Sequence, residues 1–540
     1  MIFAAGVLVS FLVYLVVGVL VGRRVKDQED YYVAGRQAPT LLVSGTLVAS
    51  YLSTVAFLGE LGFAYAGAAV LFLIFIAVNV IGYPLGVLAF GRYLRRSRVL
   101  TVPEFFGKRF DSKALQTVAG VTVVIGIGAY LIAVTQGLTL VITDLLGINF
   151  GIALLIVWFS YTAFTFYSGS PGVLVNDTIM FFVFMVAGIV GMSWIVGEAG
   201  GPAAAVSKLA SLEEKPGILT WHGVVTGPNA QFGSPAEALV WALTLGVVWA
   251  TIVAVSPWQS SRYLMARSEH VALRSAFVAT GAVLFLYIFL TLGGATINLF
   301  NSSVEPTELA FVWAAQNVMP VWVGVLAITG VVAAGLSSAA AFLSLIGFSA
   351  AHDIAAGFSA VARNQRTALR FSRTVMLILG VVALGLTYLA PPAVLAIGYF
   401  AATLFATSWG PVAILGIFSE RITTRGAIVG MITGFVAVFV LQGLVNFAGV
   451  TFPVWADPVI LGFCATLLGI FVGNIGQQPS ARGIEFRRSL LSVPEEDKRP
   501  DSVRTTLRFA FATAAVCVAA IVMLFLVYFL PFSQTVAAGA

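Results

Sequence analysis

Three residues in the apolar stretch VVAAGLSSAAAF, at 331–342, have the types and spacing to bind a cation. Ala334, Ser337 and Ser338 are offset by three and four positions, which puts them on one face of a helix. The two hydroxyls offer oxygen directly. The carbonyl of Ala334 ordinarily bonds the amide of Ser338, but a local distortion, or its second lone pair, lets it face a cation beside them. A hard cation takes about five or six oxygens, so this helix cannot complete a site alone. The remainder has to come from a neighbouring segment whose carbonyls are freed by an interruption, because an intact helix keeps its own engaged.

LVASYLSTVAFLGELGFAYAG is predicted to contain such an interruption. Ser50, Ser53 and Thr54 compete for backbone bonds, and glycines follow at 59, 62 and 67. Ala49 and Leu52, three apart, can turn their carbonyls the same way at a break. Serines bonding back to the preceding turn, or a face of small residues for helix packing, give the same spelling, so both readings stand at this point.

The surroundings of these residues follow from composition. Hydrophobic residues make up 59 % of the chain and charged residues 10 %, with a mean hydropathy of +1.00. Soluble domains carry about a quarter charged residues. The chain therefore reads as an integral membrane protein whose partner is the lipid bilayer. Nothing indicates a nucleic-acid surface or an obligate protein partner. Cys464 and Cys517 fall inside apolar runs and offer neither a disulfide framework nor a zinc site. His222, His270 and His352 lie in separate loops without metal-ligand spacing.

Runs long enough to cross a bilayer, about 20 residues, are expected at 2–22, 40–67, 70–91, 115–146, 150–168 and 171–196. A second series follows at 236–256, 275–299, 320–351, 374–391, 393–418, 426–447, 455–474 and 507–531, giving fourteen spans. In the first run Arg23 and Arg24 follow the apolar stretch, unlike a signal peptide. The alternate loops 23–39, 92–114, 257–274, 352–373, 419–425 and 475–508 hold all 29 basic residues except Lys208 and Lys215. The positive-inside rule makes those loops cytoplasmic and both termini extracytoplasmic, in the plasma (inner) membrane. The outer loop at 197–235 reads as a partly structured cap.

Ionised groups at membrane depth cost about 2.5–3.5 kcal/mol and tend to mark pathways. Two acids qualify: Asp177, about two turns into the sixth span from its cytoplasmic end, and Glu60, in the outer half of the second. No Lys or Arg falls in an expected span core, so neither acid is expected to have a buried charged partner.

DYYVAGR (30–36), TVPEFFGKRF (101–110), SRYLMARS (261–268) and AAGLSSAAAF (333–342) resemble, in this order and placement, the solute:sodium symporter family. The resemblance implies an all-α polytopic fold of about fourteen transmembrane helices around a leucine-transporter-like core of two inverted five-helix repeats. The first repeat spans 40–196 and the second 236–418. Residues 1–39 add an extra helix and the first inner loop, 197–235 the extracytoplasmic loop, and 419–540 three further helices with a charged inner loop. Five being odd, the second repeat enters from the opposite side, with a site at the interface. The implied sodium ligands are the carbonyls of Ala49, Leu52 and Ala334 and the hydroxyls of Ser337 and Ser338, with Asp177 on the inward exit route. Members with a second sodium have further hydroxyls where this chain has Ala340 and Ala341, which implies one sodium (Na+) per cycle.

LVASYLSTVAFLG resembles the branch carrying monocarboxylates such as acetate, lactate and pyruvate. The sugar branch has Glu and Gln where Val55 and Ala56 stand, and an aromatic where Ile252 stands. Tyr51, Ser53, Tyr130, Gln136 and Thr403 are the expected substrate-lining residues. The implied activity is sodium-coupled symport of a small organic solute by alternating access. Proline, pantothenate or a sugar as solute, or a proton as coupling ion, are the alternatives. An enzyme is not expected, because the serine-glycine cluster YSGSPG (167–172) lacks a membrane-depth His or Lys to activate a nucleophile.

Overall fold

Backbone polar groups in lipid have to be satisfied within their own segment, and an apolar chain of this length solves the problem with helices. The computed structural model describes residues 2–355, 365–390 and 394–539. Among these residues there is no named strand, and one isolated parallel bridge joins Ala38 to Ala266. Eleven helices are long and apolar enough to cross a membrane, and Thr40–Tyr51 and Pro458–Asn474 are shorter apolar helices. Part of the expected inner loop 352–373, at 356–364, and the expected span edges at 391 and 393 lie outside the described residues.

Two runs are long enough for two crossings of about 20 residues each. Phe150–Glu198 has 49 residues and Val55–Ser97 has 43. The first is broken at Gly169, with φ 56° and ψ −146°, just before Pro171. Only glycine fits there, because a Cβ would meet the ring and carbonyl of Tyr31 at 2.4–2.7 Å. The second is broken at Gly67, where φ is 134°.

The helix Val321–Phe348 carries Ser337 and Ser338 and is almost wholly buried, packed against Phe150–Glu198 and Lys113–Leu146. Helices at the edge, such as Pro500–Leu524, turn Leu507, Phe511 and Ile521 outward, as lipid-facing surfaces require. The predicted cap contains the helix Pro202–Ala210 and is fastened to the turn at Gly67. Val224 N donates to Gly67 O at 2.9 Å, and Lys215 Nζ donates to Tyr65 O and Asn298 Oδ1. Burial pushes the Lys215 amine down to about 8, against the opposing pull of Glu305.

One expectation is corrected. Residues 257–265, assigned to a loop, form the helix Pro257–Met265 with every residue buried. Ser256 (φ −59°, ψ 147°) separates it from Pro235–Val255, so this span is also broken. Its sequence, PWQSSRYLM, is too short and polar to register as part of a span, yet it brings Arg262 into the protein interior, 2 % exposed.

Candidate cation and solute site

The first broken helix ends where its hydroxyl residues compete with the backbone. Thr40–Tyr51 stops at Leu52, whose φ −80° and ψ 104° are extended, and helix resumes at Val55. Ser53 Oγ takes the amide of Val55 at 3.0 Å, substituting for a helical acceptor. Thr54 Oγ1 reaches across to Val134 O at 3.2 Å. Gly335 allows the helix bearing the serines to approach this break, since a Cβ there would lie 2.5 Å from Leu138 and 2.6 Å from Thr54.

Ala49 O is therefore presented to the serine helix. Ser337 Oγ lies 2.8 Å from it and Ser338 Oγ 3.2 Å, each with geometry to donate. Ser337 Oγ also reaches Ala334 O at 2.9 Å. Ala49, Ala334, Ser337 and Ser338 are thus brought together, all at 0 % exposure, with Leu52 at the adjoining extended break. Every donor in the cluster is an uncharged oxygen. That set suits a hard monovalent cation and offers nothing to a thiophilic metal. Among the described residues no group of three or more His, Cys, Asp or Glu could hold a metal ion.

Below Ala49, Thr46 Oγ1 donates to Asp177 Oδ2 at 2.5 Å, and Asp177 Oδ1 is buried without a hydrogen-bond partner. Contrary to the expectation that no cation lies near, Arg262 is close enough for its charge to act on Asp177. Two of its guanidinium nitrogens, Nε and Nη2, are themselves buried without hydrogen-bond partners. Gln259, on the same short helix, donates to Ser50 Oγ at 3.1 Å and Leu47 O at 3.4 Å, which ties the two broken helices together. Arg262 also lines a cavity of about 20 Å³ with Tyr32, Ser170 and Ser344. Gln259 and Arg262 are the residues that sequence reasoning missed. The available signal was Pro257 following Ser256, a helix start hidden in an apparent loop.

The five expected solute-lining residues divide. Tyr51, Ser53 and Tyr130 gather at the break. Tyr130 lies against Phe342 and Trp258, with ring centroids 4.7 and 5.4 Å away, and its hydroxyl interacts with Ser53. Tyr51 OH accepts from Asn79 Nδ2. Gln136 instead donates to Ala390 O at 3.1 Å, and Thr403 donates to Gln442 Oε1 at 3.1 Å. Gln442 lies on the helix Thr424–Ala448, and Ala390 directly follows the helix Gln365–Leu389. Glu60 is held by Tyr287 and Tyr399.

On the loop side of the serine helix, Glu104 accepts from Lys108 at 2.9 Å and from Leu100 N at 2.8 Å, and His352 Nε2 lies 3.2 Å away. Burial works to raise its carboxyl, but the bonds from His352, Lys108 and Leu100 outweigh it and hold the group at about 2.

Paired helix breaks around buried neutral oxygens, in a protein made of membrane-crossing helices, are features of a carrier. A profile of the sodium:solute symporter family matches residues 31–434, and the chain belongs to that family. Membership makes it a transporter, with sodium as the co-transported ion. It is 24 % identical over 452 residues to the sodium/pantothenate symporter of Escherichia coli (strain K12), covering 82 % of this chain and 90 % of that one. Its fold is similar to that of a sodium-coupled sialic acid symporter in a substrate-bound, outward-open state. The TM-score is 0.74 at 19 % identity, covering 89 % of this chain and 99 % of that one. Mhp1, a nucleobase-cation-symport-1 family transporter, gives a TM-score of 0.50 at 14 % identity, covering 86 % and 97 %.

Proposed function

We propose that this chain imports a short monocarboxylate with one sodium ion per cycle. The observation that carries the reading is the meeting of Ser337 and Ser338 with Ala49 O at a helix break, 2.8 and 3.2 Å apart. Sodium held by Ala49, Leu52, Ala334, Ser337 and Ser338 ties the first broken helix to the serine helix and so completes the solute pocket beside it. Asp177, one turn below through Thr46, is the first group on the way in, and Arg262 tempers its charge. Ala340 and Ala341 offer no second set of hydroxyls. In this reading the chain crosses fourteen times, with Val55–Ser97 and Phe150–Glu198 each divided and Pro458–Asn474 added. Both termini are extracytoplasmic in the plasma membrane. The breaks at Leu52 and Ser256, each in the first helix of its block, support inverted repeats at 40–196 and 236–418.

The solute assignment is supported by what lines the break. Val55, Ala56 and Ile252 are apolar and buried, while Ser53, Tyr51 and Tyr130 are the polar groups near them. Such a pocket suits a small solute with one polar end. A carboxylate here is held by hydroxyls, by amides at the start of the resumed helix, and by the field of the sodium. Sodium plus a monoanion is neutral, so the membrane potential, worth about 2.3 kcal/mol per charge at 100 mV, does not drive the loaded step.

A second reading, pantothenate as the solute, is favoured by the Escherichia coli relative. Uptake of labelled acetate, lactate, pyruvate, pantothenate, proline and glucose into proteoliposomes under an inward sodium gradient separates them. The proposal expects sodium-dependent accumulation of one of the first three. Accumulation of pantothenate, proline or glucose alone overturns the solute assignment.

A further inference from the structure

On the side of the break away from Asp177 lies a buried carboxyl that the sodium cluster does not use. Glu60 closes the wide helical turn Val55–Glu60 and is 3 % exposed. Two phenols from different helices point at it. Tyr287, on Glu269–Thr296, donates to Oε2, and Tyr399, on Val394–Phe418, donates to Oε1 at 3.2 Å. The ring of Tyr51 stands edge-on to Tyr287, Tyr83 and Trp249 at 5.8–6.4 Å, and Trp249 lies 5.3 Å from Tyr399. Three helices thus converge on one carboxyl and seal this side of the pocket with aromatic rings.

The titratable groups facing Glu60 are all tyrosines: Tyr51 on Thr40–Tyr51, Tyr130 on Lys113–Leu146, Tyr287 and Tyr399. Among the described residues no Lys, Arg or His forms an ion pair with it. A carboxylate ion stripped of water and left without a cation is strongly disfavoured, and two neutral donors offset only part of that cost. The protonated acid keeps both phenol contacts, since each of its oxygens still accepts, and loses only the charge. Separating Tyr287 and Tyr399 from Glu60 would let water reach the carboxyl and solvate its charge.

We propose that Glu60 is a proton-binding site that fills from the outer solution as Tyr287 and Tyr399 close over it, so that closure of the pocket depends on external pH. The inference rests on reading the chain as an alternating-access carrier. The proton comes from bulk water, adds to one carboxyl oxygen and returns to water on opening, with no other bond made or broken. The closed arrangement binds more protons than the open one, so closure is favoured at low pH and penalised as pH rises. Neutral Glu60 also removes the repulsion that an ionised carboxylate would exert on an entering anion.

Infrared difference spectra of the full-length protein in lipid at about pH 7 test the protonation without needing transport. The proposal expects a protonated-carboxyl stretching band in the wild type that is missing in Glu60→Gln. Superimposable spectra overturn it, whatever the transport activity. In proteoliposomes, sodium-driven uptake of the solute found by the panel should fall several-fold in the wild type between external pH of about 6 and about 8. Glu60→Gln, permanently neutral, should retain uptake and be flat over the same range. A variant with the wild-type pH profile, or one that binds sodium normally yet transports at no pH, contradicts the proposal. Absence of sodium-driven uptake in the wild type, with the band present, faults the carrier reading and leaves the proton site standing.

Discussion

Ser337 Oγ lies 2.8 Å from Ala49 O, joining positions 288 residues apart in the chain. The carbonyl is available because the helix that carries it, Thr40–Tyr51, ends just beyond Ala49 and gives way to extended backbone at Leu52. A hydroxyl is both donor and acceptor, so rotating the Ser337 proton away lets its lone pair and that of Ala49 O face one cation. The same atoms can therefore hold the two helices together directly or through an ion. In the proposed reading, sodium binding and helix docking are one event.

Asp177 and Arg262 are expected to be energetically coupled. Removing either leaves the other as a buried charge with unsatisfied atoms, whereas removing both relieves the pair. Asp177→Asn and Arg262→Met should each lower the apparent melting temperature of the purified protein. The double variant should lose less than the sum, with a coupling of roughly 0.5–3 kcal/mol. Simple additivity in the thermal melts would mean that the two charges do not sense each other.

Gly169→Ala is expected to impair folding severely. The position combines a positive φ with the ring and backbone of Tyr31 within 2.7 Å of any added Cβ. A cost of about 3 kcal/mol or more follows from strain plus overlap. Yield and melting temperature of the purified variant check this, and an unchanged protein would mean that the joint between 150–168 and 170–198 can rearrange freely.

Glu104 should stabilise the contact between 100–108 and His352 in a pH-dependent way. Its folded-state acidity, at about 2, is below the ordinary 4.5. A depressed carboxyl contributes stability that is full above the ordinary value and disappears as pH falls through the folded one. The wild type should melt above Glu104→Gln at neutral pH, and the gap should narrow between about pH 5 and about pH 2. A gap independent of pH would assign the effect to packing.

Much of this arrangement was legible because polar residues are rare in an apolar chain. Ser50, Ser53 and Thr54 announced the first break, and the offsets of Ala334, Ser337 and Ser338 announced a common face. The second break was not legible, because PWQSSRYLM has the composition of a loop and becomes helical only when buried beside Thr40–Tyr51. For the same reason Arg262 was counted among cytoplasmic charges. The partners of Glu60 were hidden by distance, since Tyr287 and Tyr399 lie 227 and 339 positions away and tyrosines in apolar helices look alike. The contacts of Gln136 with Ala390 O and of Thr403 with Gln442 Oε1 join positions too far apart in the chain for the sequence to connect.

The central claim is that Ser337 and Ser338 lend their hydroxyls to a sodium ion. Trp258 stands at the second break and Trp249 about two turns before it, so their fluorescence can report sodium titrations of purified protein at constant ionic strength, with potassium as the balancing ion. Loss of one hydroxyl ligand to a charged partner costs about 1.5–3 kcal/mol, which is tenfold to about a hundredfold in affinity. Ser337→Ala and Ser338→Ala should each shift the sodium midpoint upward by that factor. Two variants that titrate at the wild-type midpoint would contradict the account.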